Sequence, residues 1–184
     1  VQTLTERGYV FIGMDHFAKP DDELSTALKE GFLQRNFQGY STYADCDLVA
    51  IGVSSIGKIG STYSQNERDI DAYYAALDAG HLPIMRGYQL NQDDILRRNI
   101  IQDLMCRFSL DYQIYESVFG IPFSRYFAAE LEDMKQLETL GLVRLKPHSL
   151  TVTPKGRFLI RNIAMVFDYH LRHKETKAKY SQTV

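Results

Sequence analysis

Along the first half of the chain, apolar residues come in short runs broken by glycine and charge. Tyr9-Val-Phe-Ile12 is a continuous apolar run of strand type, predicted to be buried on both faces of a parallel sheet. Pro20-Asp-Asp-Glu23 has the form of a helix start, with proline near the first turn and acids at the positive end of the dipole. That helix is predicted to run to about Lys29 or Glu30, with Gly31 as its stop. A strand, a charged loop and a helix make one β/α unit, and in a parallel β/α barrel the loop after the strand lies on the functional face. Residues 32–65 are loop-rich, and Leu48-Val-Ala-Ile51 is predicted as a second buried strand. Glu67–Ala79 reads as a helix ending at Gly80, and His81–Leu90 as a connector holding Pro83 and Gly87.

From residue 92 the period changes. Asp93–Phe108 carries Ile101, Leu104, Met105 and Phe108 on one helical face. Gln113–Phe119 is a short helix stopped by Gly120 and Pro122. A third helix, capped by Ser124, points Phe127, Leu131 and Met134 inward and stops at Gly141. Leu142–Leu145 and Leu150–Thr153 flank a Pro-His-Ser turn and predict a hairpin. Pro154 opens a last helix with Leu159, Ile163, Val166 and Leu171 among its apolar positions. The expected fold class is α/β plus α: the end of a partial β/α (TIM-like) barrel, then a mostly helical, winged-helix-like C-terminal domain. The expected division is 1–65 for the end of the barrel and its pocket loops, 66–90 for a linking helix and connector, 91–175 for the helical domain and 176–184 for a tail.

Composition changes this picture little. The 184 residues are 45% hydrophobic and 24% charged, enough for a core, and the formal net charge of −2 gives no general attraction to nucleic acid or anionic membrane. Two cysteines far apart make no disulfide framework and fit a reducing cytosol. With no signal peptide and no long apolar run, neither export nor a membrane span is expected. Because the chain starts at Val1, close to a strand, it is expected to be part of a longer protein, with half of any active site elsewhere.

Several residues are candidates for chemistry. Asp15 and His16, at the end of the first strand, could polarise a substrate or hold a carboxylate, or simply satisfy nearby backbone. Arg35, beside Asn36, Phe37 and Gln38, could clamp a carboxylate bidentately or lie on a surface loop. Ile56 in Gly52-Val-Ser-Ser-Ile-Gly57 reads by itself as a core residue, and the stretch lacks the Gly-Lys-Ser/Thr ending of a phosphate loop. Cys46 and Cys106 read as small buried hydrophobes and cannot hold a four-iron cluster. His170 and His173 read as cations near a helix C-terminus. The winged-helix order raises DNA binding, but the would-be recognition helix Ser124–Leu140 carries four acids against two bases, the wrong sign for phosphate neutralisation.

Taken together and in order, Phe11–Ala18, Arg35–Tyr40 and Asp47–Gly57 resemble the oxygen-independent coproporphyrinogen III oxidases, a radical S-adenosylmethionine (SAM) family of haem biosynthesis. The resemblance continues through Arg86-Gly87, Ile95–Ile100, Phe108–Tyr112 and Thr153–Ile163, nearly the whole chain. It implies that the full-length protein uses SAM and one 4Fe-4S cluster to convert two propionates of coproporphyrinogen III to vinyls, giving protoporphyrinogen IX. It implies that Phe37, Gln38 and Ile56 line the SAM pocket, and it makes Arg35, Asp15 and His16 candidates for the substrate pocket. The family's cluster motif, Cys-x-x-x-Cys-x-x-Cys, is absent from this chain and is expected upstream. No metal ligand and no secure catalytic residue is therefore expected here, and the chain alone is expected to be inactive.

The expected partners are the porphyrinogen and an unnamed electron donor, with no nucleic acid, no membrane span, a cytoplasmic location and a monomer at full length. A related haem-chaperone family is the main alternative. It shows Asn-x-x-Tyr-Trp where this chain has Asn36-Phe-Gln-Gly-Tyr40, and this chain has no tryptophan. The winged-helix regulator is the other alternative.

Overall fold

The computed structural model describes residues 1–43 and 46–173; the tail expected at 176–184 lies outside the described residues, as do positions 174 and 175. The chain opens on helix α1 (Gln2–Glu6), then strands β1 (Val10–Gly13) and β2 (His16–Ala18), which pair antiparallel. The expected parallel strand, buried on both faces, is thus one arm of an antiparallel hairpin, and of that arm only Ile12 and Gly13 are buried. The physical reason is local: Gly13 and Met14, the latter at φ 53°, let the chain reverse before any crossover helix can form. Helix α2 (Glu23–Glu30) starts and stops as read, with the Asp22 carboxylate accepting the Leu24 N–H at 2.8 Å and Gly31 closing it at φ 82°. Pro20 stands two residues ahead of that cap, outside the first turn.

Strands β3 (Gln34–Arg35) and β4 (Tyr40–Ser41) form a two-residue antiparallel ribbon. Its turn is held by the Asn36 side chain, whose Oδ1 accepts the N–H groups of Gln38 at 2.8 Å and Gly39 at 3.2 Å. Strands β5 (Ile56–Ile59) and β6 (Thr62–Asn66), helix α3 (Ile70–Asp78) and strand β7 (Ile84–Gln89) follow, giving an antiparallel sheet ordered β5-β6-β7. Leu48–Ile51 is not the buried strand expected: only Leu48 bridges, to Lys58, and Ile51 is 85% exposed. Nor is 81–90 a plain connector, because β7 occupies most of it. Pro83 just before an edge strand and Gly87 within it are tolerated since β7 pairs on one side only. No residue of α3 is buried.

Helix α4 (Gln92–Arg107) is the centre of the second half. Its start is a capping box, with the Asn91 side chain accepting the Asp94 N–H at 2.9 Å and the Asp94 carboxylate accepting the Asn91 N–H at 3.1 Å. Its end is Phe108 in the left-handed region, a costly choice for a residue with a side chain, which buries the ring beneath the Arg157 guanidinium 3.9 Å away.

Strand β8 (Ser109–Asp111), helices α5 (Tyr112–Phe119), α6 (Phe123–Tyr126) and α7 (Ala128–Thr139), strands β9 (Val143–Lys146) and β10 (Ser149–Val152), a 3₁₀ turn at Gly156–Leu159 and helices α8 (Ile160–Met165) and α9 (Tyr169–Arg172) complete the order. The third helix expected from the period is therefore two, broken at Phe127, and Ser124 is not its cap. The Phe123 N–H is instead accepted by Glu116 at 3.0 Å. The last helix is also two pieces, with Asp168 capping the second by accepting the Leu171 N–H at 3.0 Å.

The hairpin β9–β10 is present and gains β8 as a third strand. Its apolar face and the helices enclose Leu104, Leu110, Met134, Leu150, Ile160 and Ile163, all fully or almost fully buried. Phe123 stacks on Tyr112 at 4.3 Å and tilts against Phe127 at 4.8 Å, and Phe167 meets Phe127 edge-on. The architecture is mixed α/β. Every strand pairing among the described residues is antiparallel, and they form no closed barrel. No described helix is long and apolar enough to cross a membrane.

Two contacts knit the parts together and can be tested. A Cβ added at Gly13 would stand 2.3 Å from the hydroxyl of Tyr40, which itself donates to the Met105 carbonyl on α4 at 3.2 Å. Gly13→Ala is expected to cost roughly 1–3 kcal/mol of stability in urea titration, and adding Tyr40→Phe is expected to return part of it by removing the clashing oxygen.

Asp94 accepts from Tyr88 at 3.0 Å and lies 2.8 Å from His170 Nε2, tying β7 and α9 to the start of α4. Burial alone would raise its pKa, but the Asn91 N–H, His170 and Tyr88 together hold it below the ordinary carboxylate value. The carboxylate therefore stabilises the fold above the unfolded pKa of about 4, and that stability is lost as pH falls through the lower folded value. Asp94→Asn is expected to lower stability at neutral pH and to flatten this acid limb, read from urea midpoints measured across pH.

Candidate functional site

Two hollows meet at Phe37. The larger, about 670 Å³, lies between α4, α8, the β3–β4 ribbon and the β5–β6 hairpin. Each helix offers it a stripe at helical spacing: Arg98, Ile101, Gln102 and Met105 from α4, and Arg161, Ala164, Met165 and then Asp168 from α8 and the cap that follows. The ribbon adds Gln34, Arg35, Asn36 and Phe37, and the hairpin adds Lys58 and Tyr63. The smaller hollow, about 270 Å³, is formed by Phe37, Gln38, Leu48–Ile51, Ser54, Ser55 and Ile56.

Local chemistry explains how these side chains are placed. The Asn36 turn projects Phe37 outward, 55% exposed, with its ring edge-on to Tyr63 at 5.3 Å. Gln102 donates to Gln34 at 2.9 Å, pinning the ribbon to α4. The Arg35 guanidinium lies 4.8 Å from the Tyr40 ring centroid. Burial pushes the Tyr40 hydroxyl up to about 12 against the opposing pull of Arg35, so it remains a neutral donor to α4. At the smaller hollow, the Ser55 hydroxyl donates to the Ile51 carbonyl at 2.8 Å and the Ser54 N–H to the Glu67 carbonyl at 2.6 Å, which fixes the Gly52–Gly57 turn.

The residues singled out from sequence fall into three groups. Gln38 and Ile56 share the smaller hollow, Arg35 lines the larger, and Phe37, like Leu48, lines both. Ile56 is half-buried on β5, not a core residue. Asp15 and His16 line neither hollow. Asp15 sits in the β1–β2 turn and His16 opens β2; His16 Nδ1 lies 2.9 Å from Asp15 without hydrogen-bond alignment, and the His16 and Tyr40 rings meet edge-to-face at 5.2 Å. Of the two thiols, Cys106 is buried as expected. Cys46 is exposed and lines the larger hollow, contrary to the buried reading.

Sequence reasoning missed Arg98 and Arg161. The available signal was their position: each begins an i, i+3, i+4 stripe whose other members include Ile101 and Met105 or Ala164 and Met165, so an arginine stands where the period calls for an apolar residue.

The electrostatics of the larger hollow are one-sided. It presents four cations, Arg35, Lys58, Arg98 and Arg161, against two carboxylates, in a chain whose formal net charge is −2. Both carboxylates are already engaged with backbone, Asp47 accepting the Gly60 N–H at 2.7 Å and Asp168 the Leu171 N–H at 3.0 Å. With apolar walls from Phe37, Ile101, Met105 and Met165, the arrangement suits a flat or bulky apolar body bearing anionic groups. The smaller hollow is more polar than apolar, its apolar side chains interrupted by two serines, an amide and exposed backbone. The described residues offer no place for an iron–sulfur cluster, because no group of three metal-ligating side chains exists among them.

Comparison with known proteins bears on both hollows. Residues 90–159 match the family model of the HemN C-terminal domain. The chain is 48% identical over its whole length to an oxygen-independent coproporphyrinogen III oxidase of Synechocystis sp., and 46% identical to one of Salmonella typhimurium. The chain is similar to these oxidases from end to end. It spans about 40% of the length of those relatives. The solved coproporphyrinogen III oxidase of Escherichia coli, described as a radical SAM enzyme, superposes with a TM-score of 0.88 at 47% identity, covering 92% of this chain and 39% of that one. The structural likeness thus reaches well beyond the 90–159 match, to 92% of the chain.

The thiols give a direct check on the site's exposure. Burial pushes the Cys106 thiol up to about 12, so it stays protonated and unreactive, while Cys46 stands open to solvent. An aromatic disulfide reagent at pH 8 is expected to titrate Cys46 alone in the native chain and both thiols in denaturant.

Proposed function

We propose that this chain is part of an oxidoreductase that converts two propionates of coproporphyrinogen III to vinyl groups, giving protoporphyrinogen IX. The observation that carries this is the 46–48% identity to coproporphyrinogen III oxidases along the entire chain, which includes both hollows. Each conversion removes one hydrogen atom, one electron and carbon dioxide from a propionate and leaves a carbon–carbon double bond. SAM, when bound with an iron–sulfur cluster held elsewhere in the polypeptide, supplies the hydrogen-abstracting oxidant.

This chain's share is binding and exclusion. Gln38 and Ile56 would hold the nucleoside end of SAM in the smaller hollow, the amide by hydrogen bonding and the isoleucine by packing. Phe37 would separate that group from the porphyrinogen and keep water from the path between them. Arg35 would meet a propionate carboxylate in the larger hollow. Asp15 and His16 would act at one remove, holding the β1–β2 turn against Tyr40, and Tyr40 holds the ribbon to α4. On the same basis the first half of the chain, through the β5-β6-β7 sheet, adjoins a β/α barrel supplied by the rest of the polypeptide, and residues 91–173 are a winged-helix-like domain that closes the barrel mouth. Neither the haem chaperone nor the DNA-binding alternative is favoured.

The test uses the complete polypeptide, anaerobic and with its cluster reconstituted, given SAM, reductant and coproporphyrinogen III. Protoporphyrin is read by fluorescence after oxidation. Wild type is expected to convert substrate, and Gln38→Ala and Ile56→Asp to lose most of the conversion while keeping the cluster's absorbance. Stable haem binding without conversion would replace this function with the chaperone's.

A further inference from the structure

Two guanidinium groups at the larger hollow, Arg35 and Arg98, have buried Nη1 atoms with no hydrogen-bond partner among the described residues. Neither they nor the neighbouring Arg161 and Lys58 belong to any ion pair among the described residues. A buried, unpaired cationic donor is unfavourable in a fold that gains nothing from it. The same helix shows how the alternative is handled: Arg97, one residue earlier, is engaged by Asp93 at 2.7 Å, Glu130 at 2.8 Å and the Phe167 carbonyl at 3.2 Å. Arg98 has been given no such partners, although Asp168 lines the same space, with one of its oxygens engaged in capping.

We infer that Arg98 and Arg35 are a paired carboxylate-binding site, in which an anion of the ligand supplies the missing acceptors from two sides of one hollow. Arg98 comes from α4 and Arg35 from β3, and the Gln102–Gln34 bond at 2.9 Å fixes those two elements to each other. The separation between the two cations is therefore built into the packing, and it selects ligands whose carboxylates are carried on a body large enough to reach both. Arg161 on α8 and Lys58 on β5 add positive charge at further points of the rim. A tetracarboxylate with an apolar core satisfies this arrangement, whereas a phosphate monoester concentrates its charge at one point. Arginine's planar fork suits the task, since it binds a carboxylate through two parallel hydrogen bonds. The site assignment rests on the porphyrinogen function for the identity of the ligand, and on the unpaired guanidiniums for its chemistry.

The experiment is equilibrium binding to the complete polypeptide by fluorescence, using coproporphyrin III, its tetramethyl ester, and benzene-1,2,4,5-tetracarboxylate as a competitor of the porphyrin or, by calorimetry, alone. Proteins are wild type, Arg98→Gln, Arg98→Lys and Arg35→Gln. Expected are a loss of coproporphyrin affinity of about tenfold or more in each glutamine variant, a smaller loss for Arg98→Lys, and no change for the ester. The melting temperature of Arg98→Gln is expected to equal or exceed that of wild type, because the substitution removes an unsatisfied buried donor. A merely structural arginine would lower it, and a lowered melting temperature with unchanged affinity in Arg98→Lys overturns the site.

The outcomes separate the site from the function. If wild type binds coproporphyrin and all variants bind it equally, the carboxylate site is wrong and the porphyrinogen function stands. If wild type binds the benzene tetracarboxylate in an Arg98-dependent manner but no porphyrin, the site stands and the function falls. If wild type binds neither anion, both are overturned.

Discussion

One buried guanidinium organises the second half of this chain. Arg97 is only 9% exposed, and its charge can be accommodated there only if its donors are matched. It reaches Asp93 on its own helix, Glu130 on α7 and the Phe167 carbonyl between α8 and α9, while its flat face lies near the rings of Phe127 and Tyr169. Four elements are thereby referred to one point. Glu130 is itself buried, so removing either partner would leave an uncompensated charge in the interior. The break of the third helix at Phe127 and of the last helix near Phe167 both occur beside this guanidinium, where the rings must turn to meet it and a continuous helix would carry them past.

The other organising contact is Tyr40. It accepts Gly13 against its hydroxyl, stacks under Arg35, meets His16 with its edge and donates to α4. Through it the N-terminal hairpin, the short ribbon and the long helix hold a fixed relation, and the larger hollow is the space that relation leaves. The larger hollow is thus framed by packed elements, and among the described residues the two carboxylates that line it are committed to backbone donors.

How much of this was legible depends on the range of the interactions. Helices α2, α4 and α5 and the β9–β10 hairpin were readable because their signals are local: Asp22 and Gly31, Asn91 and Asp94, Gly120, and the Pro147-His148 turn. Strand β8 was not, since three residues between two helices become a strand only by meeting β10 some forty positions later. Strand β7 was hidden behind Pro83 and Gly87, residues that mark connectors unless an edge is available. Leu48–Ile51 misled for the opposite reason, an apolar run with no sheet to enter.

At the site, Arg35 lines the larger hollow, Gln38 and Ile56 the smaller, and Phe37 both. Arg98 and Arg161 were invisible because the helical period places a residue on a face without saying whether that face meets a core or a cavity. The divergence of Asp15 and His16 from both hollows follows from the antiparallel hairpin, which turns the strand end toward Tyr40 instead of toward an open rim.

The adjacency of Arg97 and Arg98 has a geometrical consequence. Successive residues of an α-helix are rotated by about 100°, so two identical side chains are sorted into core and cavity by that angle alone. What fixes the angle is the capping box at Asn91, a few residues earlier, which sets where the count begins. Adding one residue within that first turn would carry Arg97 to the cavity position and Arg98 one step past it, whereas deleting one would carry Arg98 into the core position and Arg97 out of it. The distance in sequence from the cap is thus itself a coordinate of the site.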